Sequence, residues 1–230
     1  MKEKYHEDGY PVLSMDVKKK EFIGNLYRDG KLYTQGTTEV KDHDFPSYAE
    51  GKIVPHGLYD IYRNIGYITI GTSGDTSEFA CESIKRWWLD YGQLEYKGKS
   101  KILILCDGGG SNSSRYYIFK EDLQKLADEL KIEIRIAHYP PYTSKYNPIE
   151  HRLFPHITRA LQGVVFSSVE LVNSLIKQTK TKTGLKVFSS ILEKTFETGR
   201  KVADDFKDNM KIIFDDYLGN WNYVAVPQSS

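Results

Sequence analysis

Five consecutive apolar residues, Ile102 to Cys106, run straight into Asp107 and then into three glycines. The run is too short for a buried helix and is apolar at every position. That pattern marks a strand covered on both faces, near the middle of a mixed or parallel sheet. The strand ends in a carboxylate, and burying an unpaired carboxylate is costly unless it is hydrogen-bonded, paired or bound to a metal. The glycines beyond it remove Cβ atoms where something bulky approaches. In open α/β sheets, sites form beyond the carboxyl ends of the strands. The same string also fits a plain strand-to-helix turn in which Asp and Gly serve only the backbone.

The flanking pattern extends this sheet. Residues 10–31 read as two strands joined by a lysine turn, with Asp29-Gly30 closing them like a hairpin. Residues 34–57 are polar and turn-rich and read as a loop or insertion. A third strand falls within 58–71, clearest at Tyr67 to Ile70. Asp75 or Thr76 caps a helix over about 77–91, whose Phe79, Ile84, Trp87, Trp88 and Tyr91 recur at helical spacing. The Trp87-Trp88 pair reads as core, not as a base-stacking platform. A helix over about 116–130 and an alternating strand over 132–139 follow, ended by Pro140-Pro141. The order β-β-β-α-β-α-β predicts an α/β fold with a mixed sheet.

The chain has 230 residues, room for one sizeable domain with a small extension. The division expected is a core over 1–165, with the insertion at about 34–57, and a C-terminal α+β extension over 166–230. In that extension Ser167 or Ser168 caps a helix over about 169–178. A hairpin over 185–191 and 194–199, a short helix and a closing strand near Trp221 to Val226 follow. No apolar run approaches membrane-spanning length, and the N-terminus shows no secretory apolar region. Cys81 and Cys106 lack C-x-x-C spacing, which argues against a disulfide framework or zinc ribbon and fits a reducing, cytoplasmic compartment. Net charge is +1, so bulk electrostatics do not announce a nucleic-acid binder. Basic clusters at Lys18-Lys19-Lys20, Lys85-Arg86, and Lys180, Lys182 and Lys186 read, taken alone, as solvated faces.

Two more carboxylates stand out. Asp16 lies within VLSMDVKK, a strand-like run where aspartate is disfavoured. In 138-HYPPYTSKYNPIEHRLF-154, Asn147-Pro148 reads as an N-cap with proline at the first helical position. Glu150 then falls at the third helical position, where a capping-box role needs no chemistry. Pro155 should interrupt this helix one turn on. An Asp on the first strand, an Asp ending the next buried strand and a Glu opening a later helix together form a constellation. Three such acids can hold two Mg²⁺ or Mn²⁺ ions for phosphoryl transfer.

The strings DGGGSN and HYPPYTSKYNPIEHRLF resemble the DDE transposases of bacterial insertion sequences, in particular the Rhodopirellula-type transposase family within the wider mariner-like group. VLSMDVKKKEFIGN, GTSGDTSEFACESIKRWW, TKTKTGLKV, ETGRKV and WNYVAVP extend the resemblance over nearly the whole chain. It implies an RNase H-like mixed five-stranded sheet flanked by helices. It also implies a catalytic and metal-binding triad of Asp16, Asp107 and Glu150, with Asp60 a competing first acid. The implied activity is DNA strand cleavage and 3′-end strand transfer on transposon-end and target DNA, with Mg²⁺ or Mn²⁺ as cofactor, in the bacterial cytoplasm at the nucleoid.

Asn112, Arg115, Lys145, Arg152, Lys180 and Lys182 are the candidate nucleic-acid contacts, since phosphate contacts dominate affinity without giving sequence specificity. His151 reads as structural ahead of any proton or phosphate role. Only fifteen residues precede Asp16. The expectation is therefore that the family's N-terminal helix-turn-helix is absent and that end recognition needs self-association, an intact transposase or a separate DNA-binding polypeptide. The alternatives are a catalytically silent remnant with a DNA-binding or regulatory role, and an RNase H-type nuclease.

Overall fold

The computed structural model describes residues 1–31, 35–36, 39–42, 46–109, 116–140 and 143–228. In chain order the helices are α1 (Lys2–Glu7), α2 (Ser77–Trp87), α3 (Gln93–Glu95), α4 (Tyr117–Leu130), α5 (Pro148–Arg152), α6 (Phe154–Leu161), α7 (Val169–Lys177) and α8 (Phe206–Asn209). The strands are β1 (Val12–Val17), β2 (Glu21–Ile23), β3 (Gly51–Asp60), β4 (Ile65–Gly71), β5 (Lys101–Asp107), β6 (Glu133–Tyr139), β7 (Lys186–Leu192), β8 (Ile213–Phe214) and β9 (Asn222–Ala225). A wider π-type turn, Trp88–Gly92, joins α2 to α3.

All nine strands belong to one sheet, ordered β7-β4-β3-β1-β5-β6-β9-β8, with β2 added on β3. At its centre β1, β3 and β4 form an antiparallel meander. β5 runs parallel to β1, and β6 parallel to β5. β1, β3, β4, β5 and β6 have the five-stranded RNase H-like arrangement that the sequence predicts, and β2, β7, β8 and β9 widen the sheet from the expected five strands to nine. β5 is central, as its unbroken apolar run requires. Its Ile102, Ile104 and Cys106 enter the core beneath α2 and α4, and Leu103 enters the core beneath α5, α6 and α7. Trp87 and Trp88 lie in the first of these cores. Thr76 caps α2 by accepting from Phe79 N at 3.2 Å, and Ser168 caps α7 by accepting from Leu171 N at 3.2 Å.

Three expectations need correction. The lysines do not turn a hairpin. β1 and β2 both lie antiparallel to β3, Val17 opposite His56 and Glu21 opposite Ile53. Residues 18–20 therefore face only 54 and 55, a one-residue bulge within a single interrupted strand. The presumed insertion over 34–57 ends early, because Gly51–Asp60 is a ten-residue strand. Gly51, Pro55, His56 and Gly57 hid it by breaking the apolar pattern. The second strand of the C-terminal hairpin is absent over 194–199. Instead β7 pairs in parallel with β4. The segment after it lies against the α2–α4 side, where Lys194 Nζ meets Glu78 at 2.7 Å and Arg200 meets Asp122 at 2.7 Å. The closing strand is β9, antiparallel to β6, with Tyr223 fully buried. Among the described residues no helix is long and apolar enough to cross a membrane.

Candidate active site

Register brings the first two acids together. β1 and β5 are parallel, with Met15 opposite Cys106. The next residues, Asp16 and Asp107, therefore end side by side. Successive strand residues alternate faces. Leu13 and Met15 enter the α2–α4 core, so Ser14 and Asp16 point to the side where α5 packs. Beneath Asp107, the buried His138 ring uses both nitrogens. Nδ1 donates to Asp107 O at 3.1 Å, and Nε2 accepts from Tyr223 OH at 2.9 Å. Burial lowers the His138 pKa to about 4, which keeps the ring neutral for this pair of bonds.

Glycines bring the third acid in. Gly57 lies opposite Asp16 across β1 and β3. A Cβ there would stand 2.7 Å from Phe154 Cε1 and 2.8 Å from Ile149 Cδ1. A Cβ at Gly66 would collide with the Leu153 side chain. The bare backbone lets α5 and α6 press onto β3 and β4, with Ile149, Leu153 and Phe154 buried in the contact. Each such side chain contributes roughly 1.5–3 kcal/mol when fully buried, which anchors the short α5 and places Glu150 over the strand ends. As expected, Pro155 breaks the helix, and α5 and α6 meet at Leu153.

Asn147 is at the cap position but its side chain does not cap the helix. Ser14 Oγ does so from the neighbouring strand, accepting from Ile149 N at 2.9 Å. The capping-box reading of Glu150 also weakens, because the Asn147 N–H already donates to Ser144 O at 2.8 Å. The Asn147 amide turns instead to the acids. Its Nδ2 lies 3.3 Å from Asp107 Oδ1 and 3.5 Å from Asp16 Oδ2.

The electrostatics are those of crowded anions. Burial pushes the Asp16 carboxyl up, and the charges of Asp107 and Glu150 push it further, to about 7, against the pull of a bond from Val17 N at 2.7 Å. Burial and the charge of Glu150 also raise Asp107, while the Asn147 amide opposes them. Among the described residues no three His, Cys, Asp or Glu side chains form a ready-made metal cage. The donor set nevertheless fits Mg²⁺ or Mn²⁺. It is all carboxylate oxygen, it carries repulsion that a cation would relieve, and Mg²⁺ takes few protein ligands beside substrate phosphates. Asp60, the competing first acid, is elsewhere. It is opposite Leu13 at the other end of β1, where it accepts from Tyr96 OH at 2.5 Å and Arg63 N at 3.1 Å.

The candidate DNA contacts scatter. Asn112 and Arg115 lie outside the described residues. Lys145 is exposed on the turn before α5, its Nζ 5.2 Å from the Tyr146 ring. His151 donates to Lys145 O, a structural contact. Arg152 faces away from the acids into a cavity of about 380 Å³ lined also by Tyr59, His151, His156 and Thr183. Lys180 and Lys182 are exposed on the connection that reaches this cavity through Thr183. Glu150 instead borders a cleft of about 710 Å³ with Lys18, Lys19 and Arg28. The cleft is mixed in charge, since Glu21 pairs with Lys18 at 2.7 Å and Arg28 at 2.5 Å. Sequence reasoning overlooked Ser14 and the amide of Asn147. The signal for Ser14 was period two: it shares a strand face with Asp16.

The sequence model of the Rhodopirellula transposase DDE domain matches residues 1–227. The chain belongs to that family. Solved structures similar to this DDE domain include a Mos1 transposase paired-end complex with left transposon end, at 15% identity and TM-score 0.49, covering 75% of this chain and 48% of that one. A Mos1 mariner paired-end complex with Mn matches at 18% identity and TM-score 0.47, over 75% and 49% of the two chains. The DDE domain thus spans about half the length of the Mos1 chains it matches. No curated protein gives a significant match.

Proposed function

We propose that this chain is the catalytic part of a transposase and carries out metal-dependent cleavage of DNA strands and transfer of 3′ ends. The observation that supports this most directly is the convergence of Asp16, Asp107 and Glu150 at one end of the sheet, with Asp16 pushed up to about 7 by burial and by the other two acids. Asp16, Asp107 and Glu150 would hold Mg²⁺ or Mn²⁺, two ions in all. Bound ions supply a more acidic attacking water or hydroxyl and stabilise negative charge on the leaving oxygen. The protein's own part is to fix the acids on rigid strands, to hold α5 against the sheet, and to leave the strand ends open to a DNA backbone.

Lys19, exposed at the Glu150 cleft, and Lys145 are placed to meet phosphates near the acids. Arg152, Lys180 and Lys182 would contact a more distant stretch of DNA, and Asn112 and Arg115 keep their proposed role at the glycine loop. At transposon ends its partners would be a second copy of this chain, an intact transposase or a separate DNA-binding polypeptide. The chain would act on DNA in the bacterial cytoplasm, at the nucleoid.

Mn²⁺-dependent nicking of supercoiled plasmid by the purified chain tests this reading. Nicking that needs the metal and disappears in Asp107→Asn supports it. No nicking at any Mn²⁺ concentration, and no rise in melting temperature when Mn²⁺ is added, would sink it.

A further inference from the structure

Asn147 is fully buried, and its amide is used at both ends. Oδ1 accepts from Ser14 Oγ. Nδ2 faces three oxygens, Met15 O at 3.2 Å, Asp107 Oδ1 at 3.3 Å and Asp16 Oδ2 at 3.5 Å. Turning the amide over would set Oδ1 against those three acceptors, so the network itself selects which end meets the acids. An asparagine before a helix ordinarily spends its side chain on the first turn. Here Ser14 has taken that task through Ile149 N, which leaves the amide to the carboxylates. Ser14, Asn147, Asp16 and Asp107 thus form one connected network joining β1, β5 and the start of α5.

We propose that Asn147 is a positioning residue that keeps the Asp16 and Asp107 carboxylates facing a common point, and that Ser14 fixes its orientation. The inference rests on the metal-dependent reading above. Two adjacent carboxylates left to themselves turn apart. An amide N–H placed between them, from the buried side, offers partial positive charge to both and draws them toward one point. The ion then meets ligands already aligned. Groups that orient metal ligands in this way typically contribute 10–100-fold in metal affinity. The long 3.3 and 3.5 Å contacts suit this role, since weak bonds hold the acids in place yet yield to a cation.

Calorimetric titration of the full chain with MnCl₂ is the test, with plasmid nicking as a second readout. Asn147→Ala should raise the Mn²⁺ dissociation constant about 10–100-fold, and excess Mn²⁺ should restore its nicking. Ser14→Ala should move affinity the same way by a smaller factor, and it decides the matter if Asn147→Ala does not fold. Native Mn²⁺ affinity in both folded variants would overturn the role. So would a loss of nicking in Asn147→Ala that excess Mn²⁺ does not repair. Failure of the underlying reading looks different: the unaltered chain would take up no Mn²⁺ and cut nothing, and both proposals would fall.

Discussion

β1 has two aspartates near it, one at each end, Asp60 buried and Asp16 half-buried. Asp60 on β3 stands opposite Leu13, and Asp16 of β1 stands opposite Gly57. Burial is the largest upward influence on both carboxyls. They part in their company. Asp60 is fully buried yet supplied with donors, Tyr96 OH at 2.5 Å and Arg63 N at 3.1 Å, with the Arg63 guanidinium 4.6 Å from the Tyr96 ring. Asp16 is less buried but faces two other acids and a single close donor. A buried carboxylate surrounded by dipoles is finished as a structure. One packed against like charges is left to take up a proton or to gain a cation. Burial alone does not separate the two cases.

The contrast is sharpest in activity. Asp107→Asn removes a charge from the crowded end and should reduce Mn²⁺-dependent nicking on the order of 10³-fold or more, the rate equivalent of several kcal/mol of lost charge stabilisation. A variant that still nicks at a tenth of the native rate would move the chemistry away from Asp107. Asp60→Ala should do the opposite. It strands the Tyr96 hydroxyl in the core and should destabilise the fold by about 3 kcal/mol, roughly 6–12 °C in melting temperature for a chain of this size. Nicking per folded molecule should hold. If Asp60→Ala melted normally and stopped nicking, the two ends would have exchanged roles.

The legible parts of this molecule were those where one residue type has one physical meaning. Ile102 to Cys106 could only be a doubly covered strand, and the helix over Phe79 to Tyr91 declared its buried face. β3 was illegible because the feature that makes it useful to the site erases the strand pattern: Gly57 is bare so that Ile149 and Phe154 can dock. The lysine bulge misled because a run of charge between apolar segments resembles a turn, and only the partner strand reveals the single extra residue. The acids drew attention through motif and placement, and the parallel pairing of Met15 with Cys106 sets the first two side by side. The Asn147 contacts were not legible, since Asn before Pro is a cap in most helices, and nothing local shows that Ser14, 133 residues away, does the capping.

Gly57 offers a way to perturb the acid end without touching an acid. Gly57→Ala forces Phe154 and Ile149 to retreat from a Cβ at 2.7 and 2.8 Å. Overpacking of this kind typically costs 1–3 kcal/mol, and thermal melting would register it. Because Ile149 is the residue before Glu150, the same change should weaken Mn²⁺ binding severalfold, whereas Asp60→Ala should leave binding alone. Equal Mn²⁺ affinity in Gly57→Ala and the unaltered chain would mean that α5 can shift without moving Glu150.

The smallest effect is a pH slope. Asp16 has its folded pKa raised from the ordinary 3.8 to about 7. The stability it contributes is therefore present in acid and is lost as pH rises through about 7. The metal-free chain should melt lower at pH 8 than at pH 5, by on the order of 1 kcal/mol from this group once solvent screening at the open strand ends is allowed for. Asp16→Asn should flatten that slope by removing the titrating group, and saturating Mn²⁺ should flatten it in the native chain by favouring the charged carboxylate against burial and the neighbouring acids. Asp60 is raised in the same direction by burial, but it lies at the other end of β1, where the Tyr96 hydroxyl and Arg63 already act on it. Its share of the slope should survive Mn²⁺. A slope that Mn²⁺ leaves untouched while Asp16→Asn abolishes it would show that the acids repel one another without gathering a metal.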